Sequence, residues 1–403
     1  LKHFSRKIQS IPGSPTVALN AKANELMKAG APVINFTVGE PDFPTPDIVV
    51  EAAIQALRKG RTKYGSPGGG MPLRKAIADK FKRENQLEFE PANIVAGMGA
   101  KEILFHLCLG LLNEEDEAIV MAPYWVSYTA HVQATGAKAA VVPMPVDFPT
   151  TRIDIDAIEK VATSKTRMFI LNSPNNPAGY VLKESELRRL GEYLCTKDWW
   201  IISDEIYEYL SFTSEHQSLL NLFPELRDRF ILVHGVAKNF AMTGWRVGFA
   251  CCPPAVAKIL TNLQSQSSTC LPGFIEDAAQ KALELGKSLV RTEIVTMKMR
   301  ADLAYQQATA LPDCSVFKPE GAFYLFIDVR RLLSRILRTN IKSAMDLCSY
   351  LLDKHHVALV PGEAFGAPGF LRLSYATSDH NITEGLKRMR LAFGELISNE
   401  GKS

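Results

Sequence analysis

Between residues 47 and 267 the sequence keeps one rhythm: a helical pattern, a short unbroken apolar run, another helical pattern. The runs fall at 93–95, 117–121, 139–142, 167–171, 199–203, 231–233 and 247–251, and helical spacing fits 47–58, 101–112, 127–134, 155–161 and 184–195. An apolar run too short for a helix and too uniform for a half-exposed strand belongs inside a sheet covered on both faces. The alternation predicts an α/β fold whose large domain is built on a mostly parallel seven-stranded sheet with helices on either side.

The flanks read differently. Pro12, Gly13 and Pro15 punctuate an N-terminal arm before a helical pattern at 17–29 and an extended run at 33–36. Pro41, Pro44 and Pro46 then forbid regular structure over 39–46. A long helical pattern at 273–309 precedes strands at 321–328, 357–361 and 370–374 with two helices among them, a smaller α/β layer. The expected division is 1–46 as arm and part of the small domain, 47–290 as the large domain and 291–403 as the small C-terminal domain.

Composition narrows the function. With 46% hydrophobic and 22% charged residues the 403-residue chain is globular in type, and its net charge of +3 argues against a nucleic-acid coat or a membrane-surface role. Seven scattered cysteines with no C-x-x-C point to reduced thiols and a cytoplasmic location. No apolar run approaches a membrane span, and the first residues carry no signal-peptide core. A start at Leu rather than Met leaves room for an upstream segment. No H-E-x-x-H or Cys/His cluster suggests a metal, and no G-x-S-x-G suggests a serine hydrolase.

Ligands of open α/β sheets bind beyond the carboxyl ends of the strands, so the residues just after each run are the candidates. Gly97-Met-Gly99-Ala100-Lys101 opens a helix and is either a tight turn or a seat for an anion. Asn172-Ser-Pro-Asn-Asn176-Pro is either an Asx-turn or a rigid mount for the Asn176 amide. Asp204 ends an apolar strand, where it caps a helix or meets a cation, and Tyr207, three residues on, is placed to meet it. Lys238 follows a strand among Gly, Val, Ala, Phe and Met, surroundings that disfavour its ammonium form and make the amine nucleophilic. Arg246, beside Gly244, suits a phosphate. Arg372, alone in the apolar run Phe370-Leu-Arg-Leu-Ser-Tyr, is either solvent-facing or a receptor for a carboxylate inside a cleft.

A phosphate, a cationic ring nitrogen, a phenolate-like oxygen and an aldehyde would satisfy these groups together, and pyridoxal 5′-phosphate carries all four. The segments Gly39-Glu-Pro-Asp-Phe, Pro123-Tyr-Trp125-Val-Ser-Tyr, Asn172-Ser-Pro-Asn-Asn176-Pro, Ser203-Asp204-Glu-Ile-Tyr207 and Ala237-Lys238-Asn-Phe-Ala-Met-Thr-Gly-Trp-Arg246-Val-Gly resemble the class I aminotransferases of fold type I. Within them the chain resembles the bacterial-type aspartate aminotransferase branch, subgroup 1β, over about residues 5–395.

The resemblance implies a role for each position. Lys238 would hold the cofactor through a Schiff base and then shuttle the substrate's α proton. Asp204 would keep the ring nitrogen protonated, Tyr207 and Asn176 would bind the ring oxygen, and Trp125 would stack on the ring. Gly99, Ala100, Lys101 and Arg246 would bind the phosphate. Tyr64 would reach the phosphate of a neighbouring subunit, implying a homodimer with shared sites. Arg372 and Gly39 would hold the substrate α-carboxylate, with Trp125 and Asn176 beside it. Lys101 and Thr16 would receive a distal carboxylate.

That set implies transfer of the amino group between aspartate or glutamate and oxaloacetate or 2-oxoglutarate, with prephenate or an aromatic donor as the alternative. A PLP-dependent lyase or a kynurenine-type enzyme would share the fold. A ligand sensor would need a DNA-binding helix-turn-helix head, for which too little chain precedes the first helix. Ala237 and Gly235 stand where the family often has serine, so phosphate binding loses hydroxyl donors. Ala178 replaces a common threonine with little expected effect.

Overall fold

Each apolar run of the sequence has a reason to be unbroken: alternate residues enter different cores. A computed structural model describes residues 9, 11, 13–336 and 341–398. Its strands are β1 (Ile34–Asn35), β2 (Ile94–Gly97), β3 (Glu117–Met121), β4 (Lys138–Val142), β5 (Thr166–Asn172), β6 (Trp200–Asp204), β7 (Phe230–Gly235) and β8 (Gly248–Cys251). Then come β9 (Ser315–Val316), β10 (Tyr324–Asp328), β11 (Val357–Ala358), β12 (Val360–Pro361) and β13 (Phe370–Ser374).

The central sheet has seven strands in the order β2-β8-β7-β6-β5-β3-β4. All its pairings are parallel except the two made by β8, which runs backwards between β2 and β7. Ile119, Met121, Phe169, Leu171, Ile201 and Leu232 pack into one apolar cluster. Their chain neighbours Ala118, Val120, Met168, Ile170, Ile202 and Ile231 pack into another on the opposite face. Period-two geometry therefore needs apolar residues at every position, as strands with helices on both sides require.

A four-stranded sheet, β12-β13-β10-β9, is antiparallel and shares a third cluster with helices Arg291–Ala308, Ala344–His355 and Asp379–Ser398. β1 pairs in parallel with β11, tying the N-terminal segment to the C-terminal part of the chain.

Three features differ from the sequence expectation. The pattern at 273–309 is two helices, Gly273–Leu285 and Arg291–Ala308, joined by a short 3-10 turn. The break falls at Gly286, whose φ is +61° and where a Cβ would lie 2.0 Å from Glu84 Oε1. The run 357–361 is two strands, because β11 pairs with β1 while β12 pairs with β13. Helices Met71–Asn85 and Pro254–Gln266 were not singled out by spacing, the first because Lys, Arg, Asp and Glu interrupt its apolar face. No helix among the described residues is long and apolar enough to cross a membrane.

Candidate active site

The carboxyl ends of β5, β6 and β7 present Asn172, Asp204 and Gly235 at one edge of the central sheet. There they meet β10, β13 and the segment after β1 around a cavity of about 410 Å³. Thr16, Gly39, Ala100, Lys101, Trp125, Asn176, Asp204, Tyr207, Lys238, Arg246 and Arg372 all line it. Of the positions singled out by sequence, Gly99 stands one layer back, against Arg246, and Tyr64 does not line the cavity but is 90% exposed.

Charge sets the character of the cavity. Lys101, Lys238, Arg246 and Arg372 face two carboxylates, Glu40 and Asp204. The hydrogen bonds of Lys238, Arg246 and Arg372 go to backbone carbonyls and to the Asn176 amide. Arg372 is buried and Lys238 half-buried, and cations so withdrawn from water are costly unless a ligand neutralises them.

Lys238 sits on the helical turn Val236–Asn239 directly after β7. It is partly buried and donates from Nζ to the Gly39 carbonyl at 2.5 Å. Burial pushes its pKa down to about 8 against the opposing pull of Glu40, with the nearby Arg246, Arg372 and Lys101 charges adding to the fall. An amine so placed is a nucleophile and base near neutral pH.

Asp204 closes β6 and is buried. It neither caps a helix nor meets Tyr207. Tyr128 donates its O–H to Asp204 Oδ2 at 2.6 Å, and the Ile206 N–H approaches Oδ1 at 3.3 Å. Burial drives the Asp204 pKa up to about 6, and the Tyr128 hydrogen bond opposes the rise. The expected Asp204–Tyr207 contact fails because the chain leaves β6 in a turn that sends Tyr207 toward Tyr324, hydroxyl to hydroxyl at 2.8 Å. Tyr128 and Tyr324 were not identified from sequence. Tyr128 ends the quoted Pro123–Tyr128 segment, one helical turn beyond Trp125, and that spacing was its only signal.

The expected Asx-turn is replaced after β5 by a wider side-chain turn at Asn175, whose Oδ1 accepts from the Ala178 N–H at 2.9 Å. Asn176 is thereby released to the cavity, with its backbone N–H donating to Asn172 Oδ1 at 2.9 Å. Its own Oδ1 accepts from Arg372 Nη1 at 3.0 Å, and Arg372 Nη2 donates to the Thr37 carbonyl at 2.8 Å. Arg372 faces inward and is 3% exposed. Its Nε has no partner among the described residues, so the fork keeps free N–H groups for a carboxylate.

The anion seat is built by glycine. Gly99, with φ +94°, precedes helix Ala100–Leu111, whose first N–H groups have no intrahelical acceptor. A Cβ at Gly99 would fall 2.5 Å from Arg246 Nη2. Arg246 itself holds φ +60° and donates to the Thr243 and Met98 carbonyls at 2.9 and 3.3 Å. Lys101 stands over the Trp125 ring at 5.0 Å, with its pKa lowered by burial and by Arg246.

A doubly wound sheet with an activated lysine, a buried carboxylate and an uncompensated arginine at its carboxyl edge defines an α/β enzyme of small carboxylate-bearing molecules. The chain belongs to the aminotransferase class I and II family, which residues 31–389 match. It is 39% identical over 399 residues to the probable aspartate/prephenate aminotransferase of Aquifex aeolicus (strain VF5), covering 98% of this chain and all of that one. The crystal structure of the aspartate aminotransferase from Rhizobium meliloti superposes with a TM-score of 0.93 at 35% identity, covering 98% of this chain and 99% of that one. The aspartate aminotransferase from Thermus thermophilus with maleate gives 0.90 at 37% identity, covering 97% and 100%.

Proposed function

We propose that this aminotransferase uses pyridoxal 5′-phosphate to exchange amino groups between aspartate or glutamate and their 2-oxo acids, in two half-reactions. The observation that carries the reading is one cavity holding both an amine of pKa about 8, Lys238, and a buried guanidinium, Arg372, that has no counter-ion among the described residues.

The residues fit the cofactor. Asp204 is a buried carboxylate with no cation bonded to it among the described residues, the partner a ring N–H⁺ would need. The Gly99 turn, which a Cβ would fill, leaves helix N–H groups and Arg246 for the phosphate. Asn176, Tyr207 and Trp125 line the same cavity, where the first two would meet the ring oxygen and the third the ring face. When bound, the cofactor supplies an aldehyde for the amino group and an electron-withdrawing ring for the α-carbon.

The chain supplies the remainder. The free N–H groups of Arg372 clamp the α-carboxylate and orient the α C–H. Lys238 Nζ, neutral for a large fraction of the time near pH 8, takes that proton and returns it. Asp204 would keep the ring nitrogen of the bound cofactor protonated. Lys101 receives the distal carboxylate, with help from Thr16, which lines the same cavity. Tyr64, left exposed on its own chain, reaches the phosphate site of a second copy in a homodimer.

Absorbance and a donor panel test the reading. Purified protein with added pyridoxal phosphate is expected to turn yellow, and borohydride should fix the label on Lys238. Aspartate with 2-oxoglutarate should outpace phenylalanine with 2-oxoglutarate. Lys238→Ala with an unchanged spectrum and unchanged transfer would overturn the mechanism. Prephenate belongs in the acceptor panel because the Aquifex relative is named for it.

A further inference from the structure

Tyr324 belongs to no segment so far given a role, yet it touches three of the groups that were. It lies on β10, in the antiparallel sheet, and is 1% exposed. β10 and β13 pair with Phe326 opposite Arg372 and Tyr324 opposite Ser374, so Tyr324 is the diagonal neighbour of Arg372 on the same face. Its ring lies 4.5 Å from the Arg372 guanidinium carbon, and the Phe365 ring lies 5.0 Å from that same carbon. Its hydroxyl is 2.8 Å from that of Tyr207. That hydroxyl also comes so near the backbone of Gly39 that a Cβ there would fall 2.7 Å away.

We propose that Tyr324 is a positioning residue with two separable functions: its hydroxyl aims the Tyr207 phenol at the cofactor's ring oxygen, and its ring holds Arg372 in place for the substrate carboxylate. The proposal rests on the functional reading above. A phenol has one proton and can also accept. When Tyr324 donates to the Tyr207 oxygen, the Tyr207 proton is left for the cavity, and each bond of the chain polarises the next. On the other side, Arg372 makes two hydrogen bonds among the described residues, to Asn176 and the Thr37 carbonyl, and the two rings flank its guanidinium. Aromatic faces supply the restraint without consuming an N–H. One side chain thus couples the cofactor pocket to the carboxylate pocket.

Two variants separate the functions. Tyr324→Phe keeps the ring and removes the hydroxyl, and Tyr324→Leu removes both. The first readout is the pH midpoint of the visible absorbance of protein-bound pyridoxal phosphate. Loss of one hydrogen bond in the chain leaves the ring oxygen more basic and moves the midpoint up by about one unit in Tyr324→Phe. The second readout is the dissociation constant of maleate, an unreactive dicarboxylate, for the loaded protein. It should stay within about twofold of wild type in Tyr324→Phe and weaken roughly tenfold in Tyr324→Leu.

A wild-type midpoint in Tyr324→Phe overturns the proposal, and so does wild-type maleate affinity in a folded Tyr324→Leu. If Tyr324→Leu does not fold, the midpoint of Tyr324→Phe alone decides. A wild-type protein that shows no absorbance transition at all overturns the functional reading, and this proposal with it. A wild-type transition that Tyr324→Phe leaves in place overturns the proposal only.

Discussion

Tyr128→Phe probes the electrostatics of the site most directly. Burial raises Asp204 to about 6 even with Tyr128 donating to Oδ2 at 2.6 Å. A hydrogen bond to a charged acceptor contributes about 1.5–3 kcal/mol, equivalent to about one to two pKa units. Removing a donor to the charged form favours the neutral form, so Asp204 should move to about 7–8 in the variant. Cofactor binding that needs ionised Asp204 then weakens tenfold per unit below that pKa. At pH 6 the variant should bind pyridoxal phosphate about 5- to 50-fold more weakly than wild type, and at pH 9 within about twofold. The assay is titration of cofactor-free protein, followed by tryptophan fluorescence, between pH 5.5 and 9. Taking the variant-to-wild-type ratio at each pH cancels the ligand's own titration. A ratio that does not change with pH would refute the reasoning, because a lost packing contact weakens binding equally at every pH.

Other outcomes follow from the same geometry. Because Asp204 titrates near 6 in the folded protein against 3.8 as its ordinary value, the folded state holds the extra proton between them. Cofactor-free protein should therefore lose about 3 kcal/mol of stability as pH rises from about 4 to 6, a decline that urea melts of Asp204→Asn should lack. Gly99→Ala places a methyl group 2.5 Å from Arg246 Nη2 at a φ of +94°, and inorganic phosphate should compete with the cofactor about tenfold less well. Lys101→Ala should raise the KM for aspartate about tenfold and that for phenylalanine less than twofold; equal effects in steady-state assays would remove its assigned role.

The central sheet was legible because burial on two faces demands apolar residues without alternation, and sequence shows that directly. Strand ends located Asp204 and Lys238, since a charge just after a buried run stands out, and Arg246 was marked by Gly244 beside it. Arg372 was conspicuous as a lone charge inside an apolar run, although its inward direction depends on β10 beside it. What stayed hidden was pairwise. Tyr128 and Tyr324 are apolar enough to pass as core, and only the fold shows that their hydroxyls end on Asp204 and Tyr207. The split of 357–361 was hidden too, because choosing partners for β11 and β12 takes segments more than 300 residues apart in one case and about ten in the other.

The reversed strand β8 has a metric consequence. Because it starts at the edge where β7 ends, the chain between Lys238 and Arg246 is a short strap pinned at both ends by adjacent strands. The strap works as a gauge: it fixes how far a reactive amine can stand from an anion seat, and so the length of molecule that can span them. Lengthening it by even one residue would alter that calibration while leaving every side chain in the cavity chemically intact.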